Sequence, residues 1–315
     1  MKTKNILFIL LSFCIVPSFA QLGLITCSSE RNLNNSVSII ANSQAYGDYT
    51  VKVMFTSLAG YITTSTLNRG VALATAQRGK KEIVKLTPDK SGSMYSYQYL
   101  YQYFPGRALP KAPDSSFVYL LPASAGNNLR ISKVFSLEEG LGQKRQDEFY
   151  ATGFVYKLSD TICASRGGVV YDCTEAEKEG EKTTDFFRRE RNKIAIQHKD
   201  GSLGTYSVLA PIQLLVKPGN YVIPGQPLAV FIKESEKYQV LFSTYYLDEK
   251  KLLADNNSGN TSSPSYFVYM PMRFYAGEKD KSVSLQLNDD YAVQHPKAVI
   301  AAEISKREKK KLGFQ

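Results

Sequence analysis

Polar and apolar residues alternate along short stretches through most of this chain, and the period is two far more often than 3.6. Residues 36–40 and 49–57 alternate, and residues 83–86 form a brief apolar run after the basic turn Arg78-Gly79-Lys80-Lys81. The longest alternation spans residues 95–104. It places Tyr95, Tyr97, Tyr99, Tyr101 and Tyr103 on one face and Ser96, Gln98, Leu100, Gln102 and Phe104 on the other. Short strands at this spacing, separated by turns such as Pro105-Gly106, predict a small β-sandwich over residues 21–116. The tyrosine stripe has two readings. Aromatic rings stack on sugar faces, and a tyrosine face can equally pack half-buried against a neighbouring domain. The second use is the commoner one.

A second series of strands follows, at residues 149–156, 161–164, 169–173, 193–198, 205–209 and 238–246. The charged stretch 175–191 and the polar stretch 256–264 read as solvated loops, the first with room for a short exposed helix. Residues 296–312 predict a helix. Pro296 suits its first position, Val299, Ile300 and Ile304 give a weak apolar stripe, and Lys306, Arg307, Lys309, Lys310 and Lys311 load its last turns with positive charge. The expected fold class is therefore mostly β: a sandwich, a second antiparallel β domain over 117–275, and an extension over 276–315 ending in a short basic helix. That basic tail is a candidate docking element for an anionic partner, or simply a solvated helix end.

Composition adds an address. Lys2 and Lys4, the apolar residues 6–16 and Ser18-Phe19-Ala20 have the layout of a cleavable export signal over residues 1–20. Cys27 follows Leu24-Ile25-Thr26, loosely like a lipoprotein site, but Thr26 is poorly suited and Ala20 lies upstream. No later stretch reaches the roughly 20 apolar residues of a spanning helix. The expectation is an exported bacterial protein, periplasmic or associated with the outer membrane. Without the two leader lysines, 37 of the 39 basic residues face 29 acidic ones. Such a surplus favours anionic surfaces or merely serves solubility. Cys27, Cys163 and Cys173 survive cleavage, enough for one disulfide and one spare thiol. Treating Arg166-Gly167 as a hairpin turn sets Cys163 opposite Val170 and Cys173 on the other face, which disfavours that pair.

The most distinctive segment runs Leu215-Val216-Lys217-Pro218-Gly219-Asn220-Tyr221-Val222-Ile223-Pro224-Gly225-Gln226-Pro227-Leu228. Its glycines permit tight turns, and Val216, Val222 and Leu228 are spaced to fill a flattened β core. It resembles two families, the biotinyl/lipoyl carriers and the lysostaphin/LytM-type zinc endopeptidases (peptidase family M-twenty-three). No lysine sits at a hairpin tip as a carrier requires. The blocks around the segment are similar to the peptidase family in order: Ile162 to Val170 as the hairpin, Ile196-Gln197-His198-Lys199-Asp200-Gly201, Tyr206-Ser207-Val208-Leu209, and Gln239-Val240-Leu241-Phe242. Tyr119-Leu120-Leu121-Pro122 and Tyr269 to Phe274 resemble the flanks in two-domain exported members.

The resemblance implies a zinc site of two histidines and an aspartate with helper histidines, and this chain lacks them. Gly153 stands where the aspartate is expected, Lys144, Arg145 and Gln146 where the upstream histidine is, Val208 in the third block, and Gln239 and Leu241 in the last. Only two histidines exist, His198 and His295, neither at a ligand position and each expected at a surface or strand end. The expectation is thus no zinc, no other cofactor, no catalytic residues, and a vestigial groove near Gly153, Arg166, Tyr206, Val208, Gln239 and Leu241. Family members without zinc ligands act through protein contacts, so the implied role is a non-catalytic envelope protein that binds a protein partner or peptidoglycan. Two alternatives stand: an active endopeptidase with its ligands elsewhere, and a structural subunit of an outer-membrane or secretion assembly. Nothing in the sequence points to nucleic acid.

Overall fold

A computed structural model describes residues 24–32, 34–63, 67, 70–89, 94–132, 150–157, 160–175, 192–208, 210–232, 238–254, 266–276, 282–304, 306–311 and 313. The expected leader, the loop at 256–264, and Lys144, Arg145 and Gln146 lie outside them.

Period-two alternation in the first hundred residues becomes two facing antiparallel sheets. One has the order β1-β2-β6-β4, from β1 (Ile25–Arg31), β2 (Val37–Ser43), β4 (Tyr61–Thr63) and β6 (Gly79–Pro88). The other is β5-β3-β7, from β3 (Tyr49–Ala59), β5 (Val71–Ala76) and β7 (Ser96–Pro105). Ile25, Val37, Ile39, Val51, Val53 and Leu86 meet between them, all at most 1 % exposed. Each contributes about 1.5–3 kcal/mol by leaving water. The tyrosine stripe sits on the edge strand β7. Tyr101 pairs with Val53 and Tyr103 with Val51, so the stripe shares the core-facing side of its sheet. Tyr97 and Tyr99 pack on the core, while Tyr95, Tyr101 and Tyr103 remain 36–43 % exposed.

The second half builds a larger open sheet, with a path β17-β13-β14-β15-β19-β11-β10-β23. Its strands are β10 (Asn128–Ser132), β11 (Thr152–Tyr156), β13 (Gly168–Thr174), β14 (Asn192–Gln197), β15 (Leu203–Val208), β17 (Tyr221–Val222), β19 (Tyr238–Asp248) and β23 (Asp290–Ala292). On β19 it also carries β8 (Ala108–Leu109) and β20 (Phe267–Tyr269). Two small sheets cover one face. One is β12 (Thr161–Cys163), β18 (Pro227–Phe231) and β16 (Ile212–Leu214); the other is β22 (Ser282–Val283), β21 (Arg273–Tyr275) and β9 (Val118–Tyr119). The molecule is mostly β and antiparallel, as the alternation predicts, and no sheet closes into a barrel among the described residues.

The glycine-rich segment behaves as its spacing predicts. Val216, Val222 and Leu228 are buried in the core of the large sheet. Gly219 (φ +93°) and Gly225 (φ +80°) take left-handed conformations, and a Cβ on Gly219 would meet the Tyr46 ring at 2.6 Å. Gly219 is thus both a turn and the seat for a ring of the N-terminal sandwich.

Three expectations are corrected. Residues 162–170 do not form one hairpin: β12 pairs with β18, and β13 pairs with β14 and β17. Reciprocal bonds from Ala164 N–H to the Gln226 carbonyl and from Gly225 N–H to the Ala164 carbonyl hold the two strands in different sheets. Cys27, Cys163 and Cys173 are consequently all free thiols. The expected single helix over 296–312 is two, α2 (Lys297–Glu303) and α3 (Lys306–Lys311), after an earlier short helix α1 (Glu249–Ala254). Ile304 breaks it: the residue is extended (φ −81°, ψ 144°) and 5 % exposed, so burying its side chain overrides helical continuation. His198, expected at a surface or strand end, does follow β14 but is only 2 % exposed.

Candidate functional site

Strands β11, β19 and β15 have two faces of opposite character, set by alternation. The covered face carries Phe154 and Tyr156 from β11, Val240 and Phe242 from β19, and Tyr206 and Val208 from β15. Tyr206 and Phe242 stack with centroids 4.6 Å apart, and the Tyr206 hydroxyl accepts the Ser165 N–H at 2.7 Å. Burial raises the pKa of that phenol, so it stays neutral.

The opposite face is read from the registers. Ser132 pairs with Gly153, Gly153 with Leu241, Leu241 with Ser207, and Ser207 with Lys193. Paired residues of an antiparallel sheet share a face, so these five form one row across five strands. Beside it, Arg130 pairs with Val155 and Val155 with Gln239. The Gln239 amide donates to Ser132 Oγ at 2.6 Å. A Cβ on Gly153 would lie 2.3 Å from that same hydroxyl, so glycine keeps the serine–glutamine contact in place. Leu241 and Ser207 are half-buried.

Of the six groove residues named from the sequence, the sheet therefore unites Gly153, Gln239 and Leu241. It turns Tyr206 and Val208 into the core on the other side of the same sheet. Ser207 takes the position beside Leu241 that the sequence reading gave to Val208.

Arg166 is placed elsewhere again. It occupies the corner between β12 and β13, 4 % exposed, with its guanidinium carbon 3.7 Å from the centre of the Phe117 ring. Its Nε donates to Glu303 at the end of α2 and its Nη1 to Asp200, both at 2.8 Å. The second Glu303 oxygen accepts the Gly167 N–H at 3.1 Å, and Ser202 binds Asp200 through its hydroxyl at 2.7 Å and its N–H at 3.0 Å. Burial alone would raise the Asp200 pKa, but Arg166 and the Ser202 bonds outweigh it and hold the carboxylate ionised below its usual range. His198 Nδ1 lies 2.9 Å from the Gly167 carbonyl and so carries the proton, leaving Nε2 a buried acceptor without a partner among the described residues. Burial first, and the Arg166 charge second, push the His198 pKa down, so the ring is neutral.

The corner therefore places one cation between two anions. Sequence reasoning missed Asp200 and Glu303 as its partners. Only the low exposure expected of a small-residue stretch around Arg166 could have hinted at them.

A zinc site does not fit these residues. Zinc takes Cys, His or carboxylate ligands, and the open row offers serine, glycine, leucine and lysine. Asp172, the carboxylate that meets the end of the row, is held by Lys193 at 3.0 Å. His198 is tied into the Arg166 corner, and the His295 ring lies against Gly225, where a Cβ would come within 2.9 Å of Nδ1. No group of three His, Cys, Asp or Glu side chains is placed to hold a metal among the described residues.

The remaining sequence candidates lie apart from this face. The tyrosine stripe borders the N-terminal sandwich. Lys306, Arg307 and Lys310 are exposed on α3, with Lys309 half-buried, and Lys311 ends the helix.

No family model matches the chain, and no curated protein matches it. Among solved structures, Helicobacter pylori Csd3 is 12 % identical, with 91 % of this chain and 83 % of that one covered and a TM-score of 0.27. A zinc-containing peptidase from Vibrio cholerae is 12 % identical over 70 % of this chain and 75 % of its own, with a TM-score of 0.25. A candidate M-twenty-three peptidase from Pseudomonas aeruginosa is 12 % identical over 62 % of this chain and 82 % of its own, also at 0.25. Likenesses this distant assign no family, and the chemistry of the site is read from this chain's own residues.

Proposed function

We propose that this protein is a non-catalytic binding protein of the bacterial envelope, taking a protein partner or peptidoglycan on the open face of its large sheet. The observation that carries the reading is the row Ser132, Gly153, Leu241, Ser207 and Lys193, with Gln239 beside it. It sets the half-buried Leu241 between the Ser207 hydroxyl and the Ser132–Gln239 pair, with the Lys193 ammonium, shared with Asp172, at its end, a composition suited to holding a polar chain. It supplies no group able to activate water or stabilise a metal-bound transition state. Both histidines of the chain are held away from it. The alternative of a purely structural subunit uses the same sheet as scaffold and makes no use of the row.

The test is metal analysis and binding on the purified mature chain. We expect no stoichiometric zinc, no peptidoglycan cleavage, and co-sedimentation with sacculi or capture of a purified wall hydrolase that Leu241→Asp weakens at least ten-fold. One zinc per chain together with chelator-sensitive cleavage would overturn the reading. Binding unchanged by Leu241→Asp would move the site off this face.

A further inference from the structure

A cleft of about 510 Å³ lies where the N-terminal sandwich meets the far ends of β13 and β14. From the sandwich side it is lined by Tyr46, Asp48, Arg78 and Arg107, and from the large sheet by Gln197 and Lys199. Lys193 of the open row is the second residue of β14 and Gln197 its last, so the two places are separated by most of that strand.

The charges in the cleft do not balance. Arg78, Arg107 and Lys199 are exposed, and none makes an ion pair among the described residues. Arg78 lies over the Tyr46 ring at 4.7 Å, which orients its guanidinium and leaves its N–H groups free to bind. The single acid, Asp48, is already engaged: its Oδ1 accepts from Gln77 at 2.8 Å. Gln197 adds an independent sign. It is 8 % exposed, its Oε1 accepts the Asp48 N–H at 2.6 Å, and its Nε2 has no hydrogen-bond partner among the described residues. A buried amide donor left unmatched costs about 1–3 kcal/mol, so its place on the wall of a cationic cleft is explained by a ligand that accepts.

The geometry points to this cleft as a binding site for a carboxylate-bearing peptide segment. Its carboxylates pair with Arg78, Arg107 and Lys199, and one acceptor oxygen reaches the Gln197 amide. Arginine matches carboxylate geometry through paired N–H donors. The volume falls in the range of ligand-sized clefts, roughly 300–1,000 Å³, and exceeds what one inorganic anion fills. The half-exposed rings of Tyr46 and Tyr221 give flat apolar flanks for the chain on either side of the charge. The site is independent of the open-face reading, and Leu241→Asp leaves it untouched.

Fluorescence anisotropy on the full mature chain tests it, using a labelled Glu/Asp-rich heptapeptide, its Gln/Asn counterpart, and inorganic phosphate as competitor. The acidic peptide is expected to bind at least ten-fold more tightly than the neutral one. The double variant R78E/R107E is expected to weaken it ten-fold or more, and Lys199→Gln by a smaller factor. All three positions are exposed, and circular dichroism confirms that the variants fold. Equal binding of both peptides, or affinity unchanged in the charge variants, would overturn the proposal. So would complete displacement by low-millimolar phosphate, which would make the cleft a simple oxyanion site.

Discussion

The two faces of β11, β19 and β15 are built from alternate residues of the same strands, yet they answer to different constraints. On the covered face Phe154, Tyr156, Val240, Phe242, Tyr206 and Val208 are large and apolar or aromatic, with Thr152, Gly204 and Thr244 beside them, because the side chains must fill space against the small sheets above them. On the open face the same backbone carries Gly153, kept small by the Ser132–Gln239 contact, and the half-buried Leu241 and Ser207. A catalytic sheet would concentrate its most demanding residues on the open face. This one places its most constrained residues in the core, and its open row is chemically mild. The fold is maintained by one face while the other is available for recognition.

The sharpest way to break this contrast is at neighbouring positions of β19. Phe242→Ala should cost about 3–5 kcal/mol, read as a lowered urea midpoint with an unchanged slope. If it costs less than Leu241→Ala, the two faces have been assigned the wrong way round.

Arg166→Ala removes the cation between Asp200 and Glu303 at the corner of the sheet. Leaving these part-buried carboxylates without their partner should cost up to about 3–5 kcal/mol. Hydrogen exchange should show amide protection lost in α2 as well as near Asp200, because Glu303 holds that helix to the corner. Loss of protection at Asp200 alone would mean that α2 is docked by other contacts.

Acid supplies the next test. The His198 pKa is depressed in the folded state, so below about pH 6.5 the unfolded chain takes up a proton that the native chain refuses. Stability from this residue is complete above that pH and falls by about 1.4 kcal/mol per pH unit as the solution is acidified further. The lowered Asp200 pKa acts in the same direction, but only below its own usual range near 3.8. Urea midpoints between pH 7.5 and 5 should therefore fall in the parent. They should fall less steeply in His198→Gln, whatever the absolute stability of that variant.

The smallest effect belongs to the open row. Leu241→Ser removes a half-buried side chain and should cost about 1 kcal/mol, well under the loss at Phe242, while weakening the partner or wall binding proposed for that face. A large stability loss would show that Leu241 belongs to a covered surface.

Much of this architecture was legible because alternation is a local property. The strands at 95–104 and 193–198 and the core role of Val216, Val222 and Leu228 follow from spacing alone. Pairing partners are not local. Nothing within residues 161–163 states that they join Pro227–Phe231 rather than the next strand along, or that Asn128–Ser132 takes Asp290–Ala292 as its neighbour. The candidate groove was half legible for the same reason. Gly153 and Leu241 face one way because the register pairs them, whereas block-by-block likeness put Val208 beside them and could not see that it points into the core. Arg166 appeared in the sequence as a lone cation, since its anions lie 34 and 137 residues further on.

That last interval has a consequence for the order in which the molecule can be completed. At synthesis rates of about 5–20 residues per second, Glu303 emerges on the order of ten seconds after Arg166. Throughout that time the corner of the sheet holds a positive charge that is half compensated at best, and it gains little by closing. The sandwich and central strands can assemble first, but the seam at Arg166 is sealed from the far side of the chain. Closure of this corner thus waits for one late carboxylate.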